Sequence, residues 1–142
     1  MFLVSRGGSA CRALRNRKGT ATVELAFCLP NLVVIALGSI EATNAIFLKD
    51  RLTSAAYEGA RSATTPGQTS AGATTAANAV LTQFGISGSN VTITPAVTAT
   101  TASGTQVTVS VTAPLSSNSW MQPYIIGKAI SNVTATVVMD HQ

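Results

Sequence analysis

Between Ala21 and Ile40 the chain carries a single charged residue, Glu24, and the stretch Leu25–Ile40, LAFCLPNLVVIALGSI, carries none. No other feature constrains the fold as tightly. Twenty residues in a helix rise about 30 Å, one hydrocarbon thickness of a bilayer. Five of the nine cations precede this run (Arg6, Arg12, Arg15, Arg17 and Lys18), with no acid before Glu24. Cations on one flank set orientation: the N-terminus is expected in the cytoplasm and everything after about Leu48 outside. A cleaved secretory signal has an apolar core of only about 7–15 residues, followed by a small-residue cleavage site. Here the run is longer and passes into more helix-compatible sequence. A lipoprotein reading of Gly8-Ser9-Ala10-Cys11 fails because only Met1-Phe2-Leu3-Val4 precede it as an apolar stretch. Cys11 is then an ordinary residue, and Cys28 a small one facing lipid or a neighbouring helix.

Composition excludes several classes. Charged residues make up 10% of 142 and mean hydropathy is positive, the reverse of a disordered chain. Ser and Thr total 34, so the polarity is hydroxyl rather than ionic. Two cysteines without CxxC spacing and one histidine leave no zinc or redox site. The net charge of +4 invites a nucleic-acid partner, but from Ser62 to Gln142 the only ionisable side chains besides tyrosine are Lys128, Asp140 and His141. No basic stripe remains there to neutralise phosphates. Without residues 1–19 the side-chain charge turns from +4 to −1, so the basicity belongs to the head of the chain.

Glu24 lies where lipid begins, and an isolated carboxylate there costs a few kcal/mol. Either it stays wet among the headgroups or it meets a cation. Its setting is Arg17-Lys18-Gly19-Thr20-Ala21-Thr22-Val23-Glu24 followed by the apolar run. This resembles the processing site of type IV prepilins, in which a peptidase at the cytoplasmic membrane face cuts after a glycine that follows basic residues. The resemblance implies a mature chain starting at Thr20, with Glu24 as its fifth residue, pairing with the new N-terminal amine of a neighbour during filament assembly. A carboxylate and an ammonium that each suffer in low dielectric relieve one another. Gly19–Ala26, Leu29-Pro30, Ile40-Glu41 and Ala56-Tyr57-Glu58-Gly59-Ala60-Arg61 together resemble the TadE-like pseudopilins, minor pilin-like proteins of the tight-adherence (Flp) pilus machinery. The likeness runs from Arg17 to about Ala63. Asn31, a polar residue in the apolar run, belongs to none of these blocks; its amide is expected to hydrogen-bond within or between helices.

Pro30 is a tolerable kink in a membrane helix. Beyond Ile40, Leu48, Leu52, Ala55, Ala56, Gly59 and Ala63 repeat on one small-residue helix face. Arg51, Glu58 and Arg61 fall on another, where Glu58 and Arg61 can pair for a few tenths of a kcal/mol. That face is either a solvated surface or a docking site. Glu41 is expected at the outer headgroups, with pairing to a neighbouring subunit as the other option. Thr64-Thr65-Pro66-Gly67 ends the first helix. Ser70 is expected to cap a second with the apolar stripe Ala73, Ala76, Ala77, Val80, Leu81 and Phe84, closed by Gly85. The period then changes to two, at Val91/Ile93, Val107/Val109/Val111 and Val133/Ala135/Val137/Met139. These predict three half-buried strands, most simply antiparallel and covered by helix on one face, with Val97–Ala102 as a poor edge strand. The segment Pro114–Ser131 holds Trp120 and Tyr124, either closing the sheet's end or forming an exposed contact patch.

The expected fold is α+β and pilin-like: a long N-terminal helix whose first half spans the membrane, a short second helix and a small antiparallel sheet. Residues 1–19 form a basic leader, 20–48 the transmembrane helix and 49–142 an extracytoplasmic domain. No enzyme signature is present; His141 beside the C-terminus is expected on a frayed tail. No cofactor, metal or nucleic acid is expected. The family implies as partners a prepilin peptidase, other pilins and pseudopilins, inner-membrane assembly proteins and the membrane itself, in a pilus for surface adhesion. Processing maps to Gly19 and Thr20, assembly to Glu24, and partner contacts to Glu41, Glu58, Arg61, Trp120 and Tyr124. The chain would sit in the inner membrane with its C-terminal domain periplasmic, or be incorporated into an extracellular pilus. The alternatives are an unprocessed signal-anchored envelope protein with a small binding or adhesive domain, and a type II secretion pseudopilin. A mere anchor has no use for a carboxylate five residues past a glycine, and the Glu58-Gly59-Ala60-Arg61 block favours the adherence pilus over secretion.

Overall fold

The structure, a computed structural model, describes residues 10–119, 124 and 130–142, with side chains from Gly19 onward. Helix α1 runs Ala10–Ala63, α2 Ser70–Gln83 and the four-residue α3 Leu115–Asn118; strands are β1 Asn90–Thr94, β2 Gln106–Pro114 and β3 Asn132–Asp140. The architecture is α+β, as expected. Two compact units divide the chain, one ending at Ser39 and the other Ile40–Gln142.

In the first unit every side chain from Gly19 to Leu37 is exposed, including Phe27, Leu32 and Ile35. Within α1, the stretch described from Gly19 is long and apolar enough to cross a membrane. Pro30 lies inside it. Asn31 turns its amide back along the same helix, donating to Phe27 O at 3.2 Å.

The second unit packs helix against sheet. Leu48, Leu52, Ala55, Ala56, Ala60 and Ala63 on α1 are buried together with Ala73 and Leu81 of α2 and the inner face of the sheet. Gly59 lets the layers approach: a Cβ there would stand 3.1 Å from Ala77 Cβ and 3.4 Å from Val109 Cγ1. The sheet is an antiparallel meander in the order β1-β2-β3. Its register sets Val91 and Ile93 opposite Val111 and Val109, and Val109 and Val111 opposite Val137 and Ala135. Val107, Val109 and Val111 are fully buried, so the period-two pattern assigned the inner face correctly. The outer face is a hydroxyl ladder, with Ser110–Thr136 at 3.0 Å and Thr112–Thr134 at 2.9 Å.

Four local expectations are corrected. The N-cap of α2 is Thr69, whose Oγ1 accepts from Gly72 N–H. Ser70 instead fastens a loop: it donates its N–H to Val97 O (3.0 Å) and accepts Val97 N–H on Oγ (2.7 Å). Residues 97–102 form no strand; Val97 reaches the core from that loop, buried at the α2 N-terminus. Phe84 is 40% exposed rather than core, lying under the Arg51 guanidinium at 5.9 Å. The chain does not fray at its end: His141 N–H donates to Thr105 O (2.8 Å) and its carbonyl accepts from Gly104 N–H (2.7 Å). Gln142 N–H then reaches Thr64 O at 3.2 Å, which tucks the buried His141 against the end of α1. Gly85 closes α2 as expected, at φ +67°. Ile86 N–H donates to Leu81 O and Gly85 N–H to Thr82 O, the paired bonds of a Schellman cap.

Candidate functional site

Of the residues singled out by sequence, Gly19, Thr20, Glu24, Glu41, Glu58 and Arg61 lie along α1, and Tyr124 meets it through Glu41. Gly19 is helical and exposed, and nothing lies within 4 Å of where its Cβ would be. Glycine inside a helix weakens it by about 0.5–1 kcal/mol relative to alanine, and Thr20 and Thr22 add little helix preference. Glu24 is exposed one turn beyond Thr20, on the same helix face, since residues four apart are neighbours. The segment thus combines an accessible, weakly helical peptide with an accessible carboxylate. The five cations before Gly19, namely Arg6, Arg12, Arg15, Arg17 and Lys18, fall outside the residues whose side chains are described.

Glu41 is not open to its surroundings. It is 4% exposed, and its Oε1 accepts the backbone N–H of Tyr124 at 2.7 Å. A buried carboxylate needs such donors, because losing water without replacing its hydrogen bonds is costly. The Tyr124 side chain itself stands 83% exposed. Trp120 lies outside the described residues, so only Tyr124 of the expected aromatic pair has a place.

The block Ala56-Tyr57-Glu58-Gly59-Ala60-Arg61 divides into two halves by burial. Ala56, Gly59 and Ala60 face inward and fix the close packing of α1 on α2 and β2. Tyr57 and Arg61 are exposed and Glu58 half-buried. Glu58 and Arg61 meet each other at 3.6 Å at the surface, the Arg61 side chain largely in solvent and that of Glu58 partly so, a geometry worth a few tenths of a kcal/mol. The small residues of the block are therefore accounted for by packing, and its charged residues by the surface.

Ser70, expected only as a helix cap, and Asn118, which carried no sequence signal, organise the second unit. Ser70 holds the loop at Val97. Asn118 grips the turn before β1, accepting Ser87 N–H on Oδ1 (2.8 Å) and donating Nδ2 to Ser87 O (2.9 Å) and Pro114 O (2.8 Å). Among the described residues no three His, Cys, Asp or Glu side chains gather as a metal site requires.

No curated protein and no solved structure matches the chain. A family model does: residues 19–61 match the one described as TadE-like protein. The matched segment starts at Gly19, takes in Glu24 and Glu41, and ends at Arg61. Over residues 19–61, less than a third of its length, the chain is similar to TadE-like proteins.

Proposed function

We propose that this protein is a minor pilin, or pseudopilin, that takes part in assembling a tight-adherence pilus for surface adhesion. A prepilin peptidase cuts after Gly19 at the cytoplasmic face of the inner membrane, and the mature chain begins at Thr20. Its apolar helix holds it in that membrane with the C-terminal domain in the periplasm. Other pilins, pseudopilins and the inner-membrane assembly proteins are its partners, and it works by assembly rather than catalysis. The observation that carries this reading is the TadE-like match beginning at Gly19, with an exposed Glu24 one turn past Thr20. The weak helix at Gly19 supports it, since a peptidase must open the backbone to reach the bond. In the bilayer Glu24 pairs with the amine that processing creates on a neighbouring subunit, which removes the cost of two separate charges in lipid.

Glu24→Val tests the pairing. The apolar side chain favours insertion in lipid, so processing and membrane insertion stay at wild-type levels while incorporation into pili falls. Pili of normal number containing the variant at normal levels would contradict it. An envelope protein that is anchored but never cut, or a secretion pseudopilin, is the outcome if the chain never associates with pili.

A further inference from the structure

We propose that the free edge of β3 is a strand-addition site, which takes an extended segment of a different protein chain into the cleft between β3 and α1.

The backbone carries the argument. Leu115 N–H donates to Ser131 O and His141 N–H to Thr105 O, and both pairs continue the register of β2 with β3. Bonded pairs alternate along an antiparallel ladder. Val133, Ala135, Val137 and Met139 therefore turn their backbone groups toward β2, and Asn132, Thr134, Thr136, Val138 and Asp140 turn theirs outward. The hydroxyl contacts Ser110–Thr136 and Thr112–Thr134 agree, because side chains stand closest in the unbonded pairs. Among the described residues β3 pairs with β2 alone, and the outward residues are all exposed. A row of outward N–H and C=O groups is a template for another strand, and natural edges are blunted by shortness, proline or lysine. β1 is blunted: it has five residues and Pro95 follows it. β3 has nine residues and contains no proline, lysine or glycine.

The cleft determines what kind of segment fits. Its volume is about 310 Å³, and it lies between Ile46 and Lys49 of α1 and Asn132, Val133 and Thr134 of β3, with Ile130 adding apolar surface. Ile46 and Ile130 are both exposed. Extended peptides add to such edges by main-chain pairing, with pockets for alternate side chains, and here the cleft supplies the pockets. The matching segment has apolar residues at every second position, turned toward α1, and a carboxylate where it passes Lys49, the one charged residue of the lining. Asp50 lies outside the lining, and Glu41 is 4% exposed with its Oε1 accepting from Tyr124. A second β3 would meet these needs in sequence, but pairing β3 with its own copy sets the two α1 helices head to tail. Copies anchored side by side in one membrane, as proposed above, cannot pair in that way, so the occupant comes from a different chain. Only this choice of occupant rests on that reading.

The full chain in detergent tests the site, with a fluorescent synthetic peptide copying Asn132–Asp140 as probe. Laid antiparallel on β3, the peptide sets its Met139 opposite Val133 and its Asp140 opposite Asn132, at the Lys49 end of the cleft. Fluorescence anisotropy should rise and saturate. Lys49→Glu should weaken binding about tenfold. Thr136→Pro removes an outward N–H, a change that an edge strand tolerates, and should abolish binding; Val138→Pro is the second variant if the first does not fold. By hydrogen exchange, the amides of Thr134, Thr136 and Val138 should exchange quickly in the chain alone and slowly once the peptide is added. No saturable binding, or binding unaffected by either proline, overturns the proposal. Slow exchange of these three amides in the monomeric chain alone means that the edge is covered within the fold and also overturns it. A dimer of the full chain that either proline dissociates assigns the edge to a second copy and overturns the occupant proposed. None of these results bears on cutting at Gly19 or on Glu24, so the site and the pilin reading fail separately.

Discussion

Phe84 and Leu81 both belong to the apolar stripe of α2, yet only Leu81 is buried. Helical periodicity gives the direction of a side chain, not how far the sheet beneath the helix extends. Phe84 is the C-cap residue, past the edge of that support, and Arg51 covers it instead. Leu81→Ala should therefore cost about 2–5 kcal/mol. Phe84→Ala should cost about 1 kcal/mol or less, the worth of an exposed cation–π contact. Urea unfolding of the two variants in detergent checks this; a larger loss at Phe84 would contradict the packing described. Glu41 presents the same limit in another form. Its place one residue after the apolar run is legible, whereas a bond to the backbone of Tyr124 joins positions too far apart for any local pattern to register. Glu41→Ala should cost about 1.5–3 kcal/mol, because the Tyr124 N–H loses a carboxylate acceptor. Glu41→Gln keeps an acceptor oxygen and should cost less. Equal losses for both would show that the hydrogen bond is not what Glu41 contributes.

Helices and strands were the most legible level, because each has a period that a face must obey. The small-residue face of α1 from Leu48 to Ala63, the Gly85 stop of α2 and all three strands follow from residue spacing alone. What spacing does not resolve is a choice between chemically equivalent neighbours. Thr69 and Ser70 are both good caps, and Ser70 is withdrawn from that role by Val97, a partner supplied by another part of the chain. The segment 97–102 has the β-branched composition of an edge strand, but its polar groups are spent on Ser70 and on turns among Thr98, Thr101, Ala102 and Thr105. The tail beyond β3 looked free because of its position in sequence, and it is held because backbone pairing with Gly104 and Thr105 continues past Asp140. The outer face of the sheet tolerates change: Thr108→Lys, opposite Val138 and Thr94, should shift stability by no more than about 0.5 kcal/mol. A shift of several kcal/mol on thermal melting would mean that this face is covered within the monomer.

At the scale of the whole molecule, the two compact units correspond to two physical environments. From Gly19 to Ser39 the large apolar side chains are exposed, whereas the unit from Ile40 buries a core of Leu, Ala and Val beneath a hydroxyl-rich sheet. That division, and the concentration of cations before Gly19, were plain in the sequence because charge and hydropathy are additive along a chain. The groups that meet across the fold were not. In the proposed function the basic head is temporary and the working protein begins at Thr20. The mature N-terminus, determined by mass spectrometry on protein from cells that possess a prepilin peptidase, tests it most directly. A chain starting at Thr20 is expected, with residues 1–19 gone and five cations lost with them. An intact Met1 N-terminus in those cells would contradict it.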